Sequence, residues 1–227
     1  MQEEKILDEI EVRVVASLLE KKMSTPEYYP MTLNALKNAC NQSSNRDPVV
    51  SFDEKTVASA LERLRDKGFS RVVHAADSRV PKYKETLTEY FMLGDEEAAV
   101  LCELMLRGAQ TVGELRNRTA RLWNFKELSE VEESLTNLVE KPPRPLIVRL
   151  PRQPGQKEPR SAHLLSGEVK VEEIVSHTHH VPRVEAAMLE ARAENERFAK
   201  LESEVESLKQ ELTSLKEQFE GFKKQFE

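Results

Sequence analysis

The sequence is poor in the residues that mark several large classes of protein. Among 227 residues there are 7 glycines and 2 cysteines, and aromatic side chains make up only 6%. No apolar run reaches the roughly 18 residues that a membrane-crossing helix needs. The opening Met1-Gln-Glu-Glu-Lys5 is too acidic for a secretion signal. No membrane partner is expected, and the default compartment is the cytoplasm. Cys40 and Cys102 stand far apart without a CxxC neighbour, so they frame neither a disulfide scaffold nor a zinc site. Cys102 lies in an apolar helical run and reads as core, while Cys40 ends a helix with nothing basic close by. Positive charge is short as well: 34 Lys and Arg face 40 Asp and Glu, a net charge of −6. That balance excludes wholesale capture of nucleic acid, so any such binding must come from local patches.

Catalytic signatures are missing too. There is no Gly-rich phosphate turn and no Ser/His/Asp or Cys/His constellation in a recognisable context. The carboxylates are scattered along helix faces. The expectation is a protein that is not an enzyme and carries no cofactor. His177, His179 and His180 crowd one short stretch, but no carboxylate or cysteine is spaced to complete a metal shell, so a solvated linker is the better reading.

What is present is charge and helical periodicity. Charged residues make up 33% and hydrophobic residues 39%, the composition of a helix-rich chain long enough for two or three compact units. Ile10, Val14, Val15, Leu18 and Leu19 fall at helical spacing within Asp8–Lys22, with charges between them. Pro26 and Pro30 then make an extended loop. Thr32 caps a short amphipathic helix through Ala39. A polar turn, Cys40–Asp47, leads to a longer helix from Asp53 to Lys67, stopped by Gly68. Two β-leaning segments follow, Arg71–Val73 and Val80–Tyr83. Helix, turn, helix and two-stranded ribbon is the order of a winged helix.

The order then repeats. Asp95–Arg107 is an apolar helix ending near Gly108, and Thr111–Arg118 aligns with Thr32–Ala39. Val131, Leu135 and Leu138 in Leu128–Glu140 keep the spacing of Val57, Leu61 and Leu64. Leu146–Leu150 and Ser161–Leu165 flank a Pro-rich tip. The predicted fold class is mainly α with small β-wings (α+β), two tandem winged-helix domains followed by a C-terminal coiled-coil helix. Residues 1–90 form the first domain and 91–168 the second, joined near Thr86–Leu93, and each carries an apolar set of its own. Residues 169–182 are a linker and 183–227 the coiled coil.

Particular strings point further. Leu33-Asn-Ala-Leu-Lys-Asn-Ala-Cys-Asn-Gln42, Asn45-Arg-Asp-Pro-Val49, Leu106-Arg-Gly-Ala-Gln-Thr-Val-Gly-Glu-Leu-Arg116 and Leu150-Pro-Arg-Gln-Pro-Gly-Gln-Lys-Glu158 resemble the YceH-like family of bacterial proteins, as does His163-Leu-Leu-Ser-Gly167. The resemblance covers residues 6 to 169 and implies a pair of tandem winged-helix domains; it brings no activity with it. The sequence departs from that family at Ser161, where a tyrosine is more usual.

In the C-terminal stretch Leu201, Val205, Leu208, Leu212, Leu215, Phe219, Phe222 and Phe226 alternate steps of four and three, as a coiled-coil seam does. Asn195 falls on an upstream seam, and the step from Phe198 to Leu201 shifts the phase. These residues predict an oligomer interface and a homodimer. A single amphipathic helix lying back on the winged domains remains the alternative.

Duplex DNA is the expected partner, in a transcriptional or chromosome-associated role. Lys55, Ser59 and Arg63 share one face of the third helix, and Arg71, Arg79, Lys82 and Lys84 lie on or beside the first ribbon. Lys141 to Arg160 holds six Lys or Arg against one Glu, with Arg149, Arg152, Lys157 and Arg160 in the second wing. Glu130, Glu132, Glu133 and Glu140 crowd the corresponding third helix and would meet phosphate badly. The turn residues Asn41, Gln42, Ser43, Asn45 and Arg46 admit two readings, phosphate contact or mutual hydrogen bonding of an irregular turn. The competing class is a protein-interaction scaffold with a protein partner.

Overall fold

The structure, a computed structural model, describes residues 5–74, 80–152 and 156–168. Arg79, the three linker histidines and the seam from Asn195 to Phe226 lie outside the described residues. The fold is mixed α+β, with about half of the described residues helical and two small antiparallel sheets.

Helix α1 spans Glu9–Ser24. It opens on a capping box in which the Asp8 side chain accepts from the Glu11 amide and the Glu11 side chain accepts from the Asp8 amide. Every residue from Ile10 to Glu20 is buried, charged ones included. Strand β1 is Met31–Thr32, and α2 is Leu33–Cys40, capped by Thr32 as its sequence predicts. Helix α3, Glu54–Asp66, starts on an Asp53 cap, where the carboxylate accepts from the Thr56 amide. It is followed by Gly68 at φ +77°, a backbone conformation that costs a side-chain-bearing residue about 1–2 kcal/mol. Strands β2, Ser70–Val73, and β3, Lys82–Glu85, pair antiparallel with Val72 opposite Tyr83, giving a sheet of order β1-β3-β2.

The stretch that reads as a simple link in the sequence contains a helix, α4, Leu87–Phe91. Its aromatic residues explain it. The Phe69 and Phe91 rings stack at 5.8 Å, the Tyr90 ring meets Phe69 edge-on at 5.2 Å, and the Lys5 ammonium lies 4.6 Å from the Tyr90 centroid.

The second half repeats the order of the first. Helix α5 is Asp95–Arg107 and α6 is Val112–Thr119, with Thr111 in a capping box with Glu114. Helix α7 is Leu128–Val139, and β4, Ile147–Arg149, pairs antiparallel with β5, Ser161–His163. Gln110 and Ser161 exchange both backbone hydrogen bonds, at 2.8 and 3.0 Å, so this isolated bridge stands where β1 stands in the first repeat. Ser161 itself is buried.

Helices α1 and α5 pack on one another, and the described residues belong to one compact unit spanning residues 1–187. Helix α5 is buried from Glu97 to Leu106. Backbone bonds also cross between the repeats: the Asp47 amide donates to the Leu106 carbonyl at 3.0 Å, and the Leu7 amide to the Leu165 carbonyl at 2.8 Å. The largest fully buried side chains come from both halves, among them Leu18, Leu19, Leu64 and Phe69 from the first and Leu101, Leu104 and Leu115 from the second.

Candidate nucleic-acid interface

The residues expected to face DNA divide into committed and uncommitted groups. Lys55 is exposed near the start of α3, with no ion-pair partner among the described residues. Arg63 is not presented in the same way. Its guanidinium receives support from three sides: it donates to Ser59 Oγ at 2.8 Å and pairs with Asp8 at 2.9 Å and Glu11 at 3.3 Å. Ser59 is thus the acceptor for Arg63, and the two residues fasten α3 to the start of α1. Lys67 closes the same corner through Glu11 at 2.6 Å.

On the first hairpin, Arg71 and Lys84 converge on one carboxylate of α4, Glu89, at 3.3 and 3.0 Å. The hydrogen bond from Lys84, then its charge, holds the Glu89 carboxyl below the usual range. Lys82 is half-buried with no ion-pair partner among the described residues. In the second repeat, Arg149 reaches back to α7, donating to the Glu132 carbonyl and to Thr136 Oγ1. Arg160 pairs with Glu114 at 2.9 Å and donates to the Ala109 carbonyl at 2.7 Å. Arg152 and Lys157 are exposed. The structure therefore brings Arg63 of the third helix and Arg71 with Lys84 of the ribbon to separate acidic anchors, Asp8 with Glu11 and Glu89, and leaves Lys55 and Lys82 outside both.

The polar turn after α2 is internally bonded at three of its positions. Asn41 exchanges hydrogen bonds with the Phe52 backbone, both at 2.8 Å. Gln42 accepts from Lys21 and Arg46. Arg46 is fully buried: it pairs with Glu20 and donates to the Ala39 and Asn45 carbonyls. Ser43 is exposed.

Glu20 and Arg46 belong to a charge network between the repeats. Arg121, just after α6, contacts both Glu20 of α1 and Glu103 of α5. Burial works to raise the Glu20 carboxyl, but the hydrogen bond and charge of Arg46, with Arg121 and Lys21, outweigh it and hold it below the usual range. At Glu103 burial wins over Arg121 and the carboxyl is pushed up. Burial, then the neighbouring Arg46 charge, lowers Arg13 to about 10, and this guanidinium is held by the Cys40 and Pro48 carbonyls. Burial also raises the Cys40 thiol to about 11 and lifts Cys102 well above its ordinary value.

An open cleft of about 530 Å³ runs between the start of α5, the Trp123–Lys126 loop and α7. Phe125 is buried in it, Trp123 is 37% exposed, and Glu96, Glu97, Glu130 and Glu133 contribute carboxylates. The crowding of glutamates on α7 is visible in the sequence, whereas nothing there signals the tryptophan that comes to lie beside them. Among the described residues no group of three His, Cys, Asp or Glu could hold a metal ion, and no helix is long and apolar enough to cross a membrane.

These features define a mixed α+β protein made of two successive repeats, each of three helices followed by a hairpin, that share a buried ionic interface. The chain belongs to the family described as protein of unknown function, DUF480, whose model matches residues 7–156. It is similar to a UPF0502 protein of Opitutus terrae, 55% identical over 166 residues that cover 73% of this chain and 72% of the relative. It is likewise similar to a UPF0502 protein of Geotalea uraniireducens, 52% identical over 199 residues and 88% of each chain. The UPF0502 protein GSU0233 of Geobacter sulfurreducens is 50% identical over 204 residues, 89% of this chain and 90% of that one.

Proposed function

We propose that the protein is a non-enzymatic, tandem winged-helix protein that binds duplex DNA. The observation that carries this reading is the repeated element order, two helices after an extended segment and then a hairpin, with the β1-β3-β2 sheet of the first repeat. In winged helices that arrangement sets the third helix in the major groove and the hairpin beside it. The resemblance of the sequence strings to the YceH-like family supports the same fold. Lys55 on α3, Lys82 on β3 and the exposed Arg152 and Lys157 are the cations best placed to meet phosphate, because their charge is not spent on an internal carboxylate among the described residues. Arg63 and Arg160 serve the fold instead.

Such cations neutralise phosphates without reading sequence, so affinity should fall steeply with salt. Titrating a random-sequence duplex pool at several salt concentrations tests this. Reversing Lys55 and Lys82 should flatten the log–log salt slope by about 0.9 for each phosphate no longer neutralised. No binding at low salt ends the DNA reading. We further propose a homodimer through residues 183–227, resting on the heptad spacing of Leu201 to Phe226. Light scattering on a chain ending at Pro182 should then give a monomer where the full-length chain gives a dimer, and an unchanged number of chains per particle would refute it. At the second repeat a specific feature favours the scaffold reading: the acid-lined cleft with Trp123 beside α7.

A further inference from the structure

The cleft beside α7 combines three properties that solvated helix faces lack together. It is concave, with a volume of about 530 Å³. It offers apolar surface, the buried Phe125 as floor and the 37%-exposed residue Trp123 as wall. And its carboxylates outnumber its cations, four to one, with Lys126 the only basic residue in the lining.

The carboxylates are not equivalent. Glu97 is committed: it accepts from the Gly94 amide at 2.9 Å and from Lys141 at 2.6 Å. Glu130 accepts from the Lys126 amide at 2.7 Å. Glu96 and Glu133 have no partner among the described residues and stand on opposite elements, α5 and α7. Asn124 and Asn137 add side-chain amides to the lining, each able to donate and accept toward a peptide backbone.

We infer that this cleft docks a segment of a protein partner that carries a lysine or arginine next to a large apolar side chain. The charge complementarity selects the occupant: an apolar residue would cover Trp123 and Phe125 while its basic neighbour meets Glu96 and Glu133. The acidic lining repels nucleic acid, so this surface is separate from the proposed DNA face and does not depend on it. It develops the scaffold reading of the second repeat into a particular place and a particular chemistry.

Trp123 is the sole tryptophan of the chain, so its emission reports on this cleft alone. The full-length protein is titrated with a soluble peptide library carrying one fixed lysine next to one fixed leucine, the remaining positions mixed. A matched library with glutamate in place of the lysine is the control. The expected result is a saturable shift of Trp123 emission with the lysine library and none with the glutamate library, weakened at least about tenfold in a Glu96→Gln/Glu133→Gln double variant. Glu133 is exposed and Glu96 half-buried, and far-ultraviolet dichroism and melting of the variant check that it folds. An absent or non-saturable response to the lysine library overturns the inference, as does an equal response to both libraries or an unchanged affinity in the folded variant. A shift that appears on concentrating the protein without peptide, and that the library does not displace, assigns the cleft to a second copy of the chain and also overturns it.

Discussion

Arg46 and Glu20 form an ion pair in which both side chains are completely sealed from solvent. The pair joins the turn after α2 to the C-terminal part of α1, and Arg121 extends it to Glu103 of α5. Because a buried pair is costly to break from one side, the network's two carboxylates have unlike fates when neutralised.

Glu20→Gln should destabilise the protein by about 3–5 kcal/mol, since Arg46 then stays buried without a counter-charge. Glu103→Gln should cost less than about 1 kcal/mol or stabilise, because burial already disfavours the ionised form there. The pH dependences follow from the opposite shifts. The folded-state value of Glu20 is lowered, so its contribution is present above the ordinary carboxylate range and lost as pH falls through the lowered value. That of Glu103 is raised, so its contribution is present below the ordinary range and lost as pH rises through the raised value. The gain of Glu103→Gln over the parent should therefore grow with pH just above the ordinary carboxylate range. Urea melts from about pH 2 to 7 measure both, the Glu20 effect on the acid side of the ordinary carboxylate range and the Glu103 effect just above it, and parallel pH profiles for the two variants would refute the assignment.

Arg63 and Lys55 should separate structure from binding. Arg63→Ala removes a partner of Asp8 and Glu11 and should cost about 1 kcal/mol of stability, Lys67 remaining to serve Glu11. Lys55→Ala should leave the melting temperature unchanged and weaken DNA binding. A Lys55 variant that melts lower, or an Arg63 variant that melts at the parent temperature, would contradict these roles.

Pieces comprising residues 1–90 and 91–168 each expose the helix face that α1 or α5 buries in the intact chain. Mixed together they should co-elute on gel filtration and melt higher than either piece alone. Arg121→Ala in the second piece should weaken the association, because the bridge from Glu20 to Glu103 is removed.

Both thiols should resist alkylation in the folded protein. Cys40 and Cys102 are fully buried and burial raises both above their ordinary values, so neither exposes thiolate at mildly alkaline pH. Iodoacetamide labelling followed by mass spectrometry should give no adduct without denaturant and one on each thiol with it.

The periodicities carried the helices well because caps and stops are local. Thr32 caps α2 as its position predicts, Thr111 does the same for α6, Asp53 caps α3 where the sequence offers either Asp53 or Ser51, and α5 keeps the bounds Asp95–Arg107. Helix α4 is invisible in the sequence because Leu87–Phe91 is too short to show a period, and its stability comes from Phe69, which lies outside it. Charge was the least legible feature. Glu11, Arg13 and Glu20 read as ordinary breaks in an apolar pattern, yet each is buried and satisfied by residues distant in sequence: Lys67 and Arg63, the Cys40 and Pro48 carbonyls, and Arg46 with Arg121. The same long-range pairing engages Arg63 and Arg160 with carboxylates of the protein itself while leaving both side chains partly exposed. No local signal separates these arginines from Lys55.

The hydrogen bond from the Leu7 amide to the Leu165 carbonyl places the beginning of the described fold beside its end, and the Lys5 carbonyl accepts from Arg144 in the same area. A short linker from residue 168 back to residue 5 would thus close the backbone into a ring, and a new start could be opened between β2 and β3. In such a circular permutant the first repeat would be interrupted in sequence but intact in space. Comparing its refolding rate with that of the native order would reveal whether the chain must complete one repeat before the other can form.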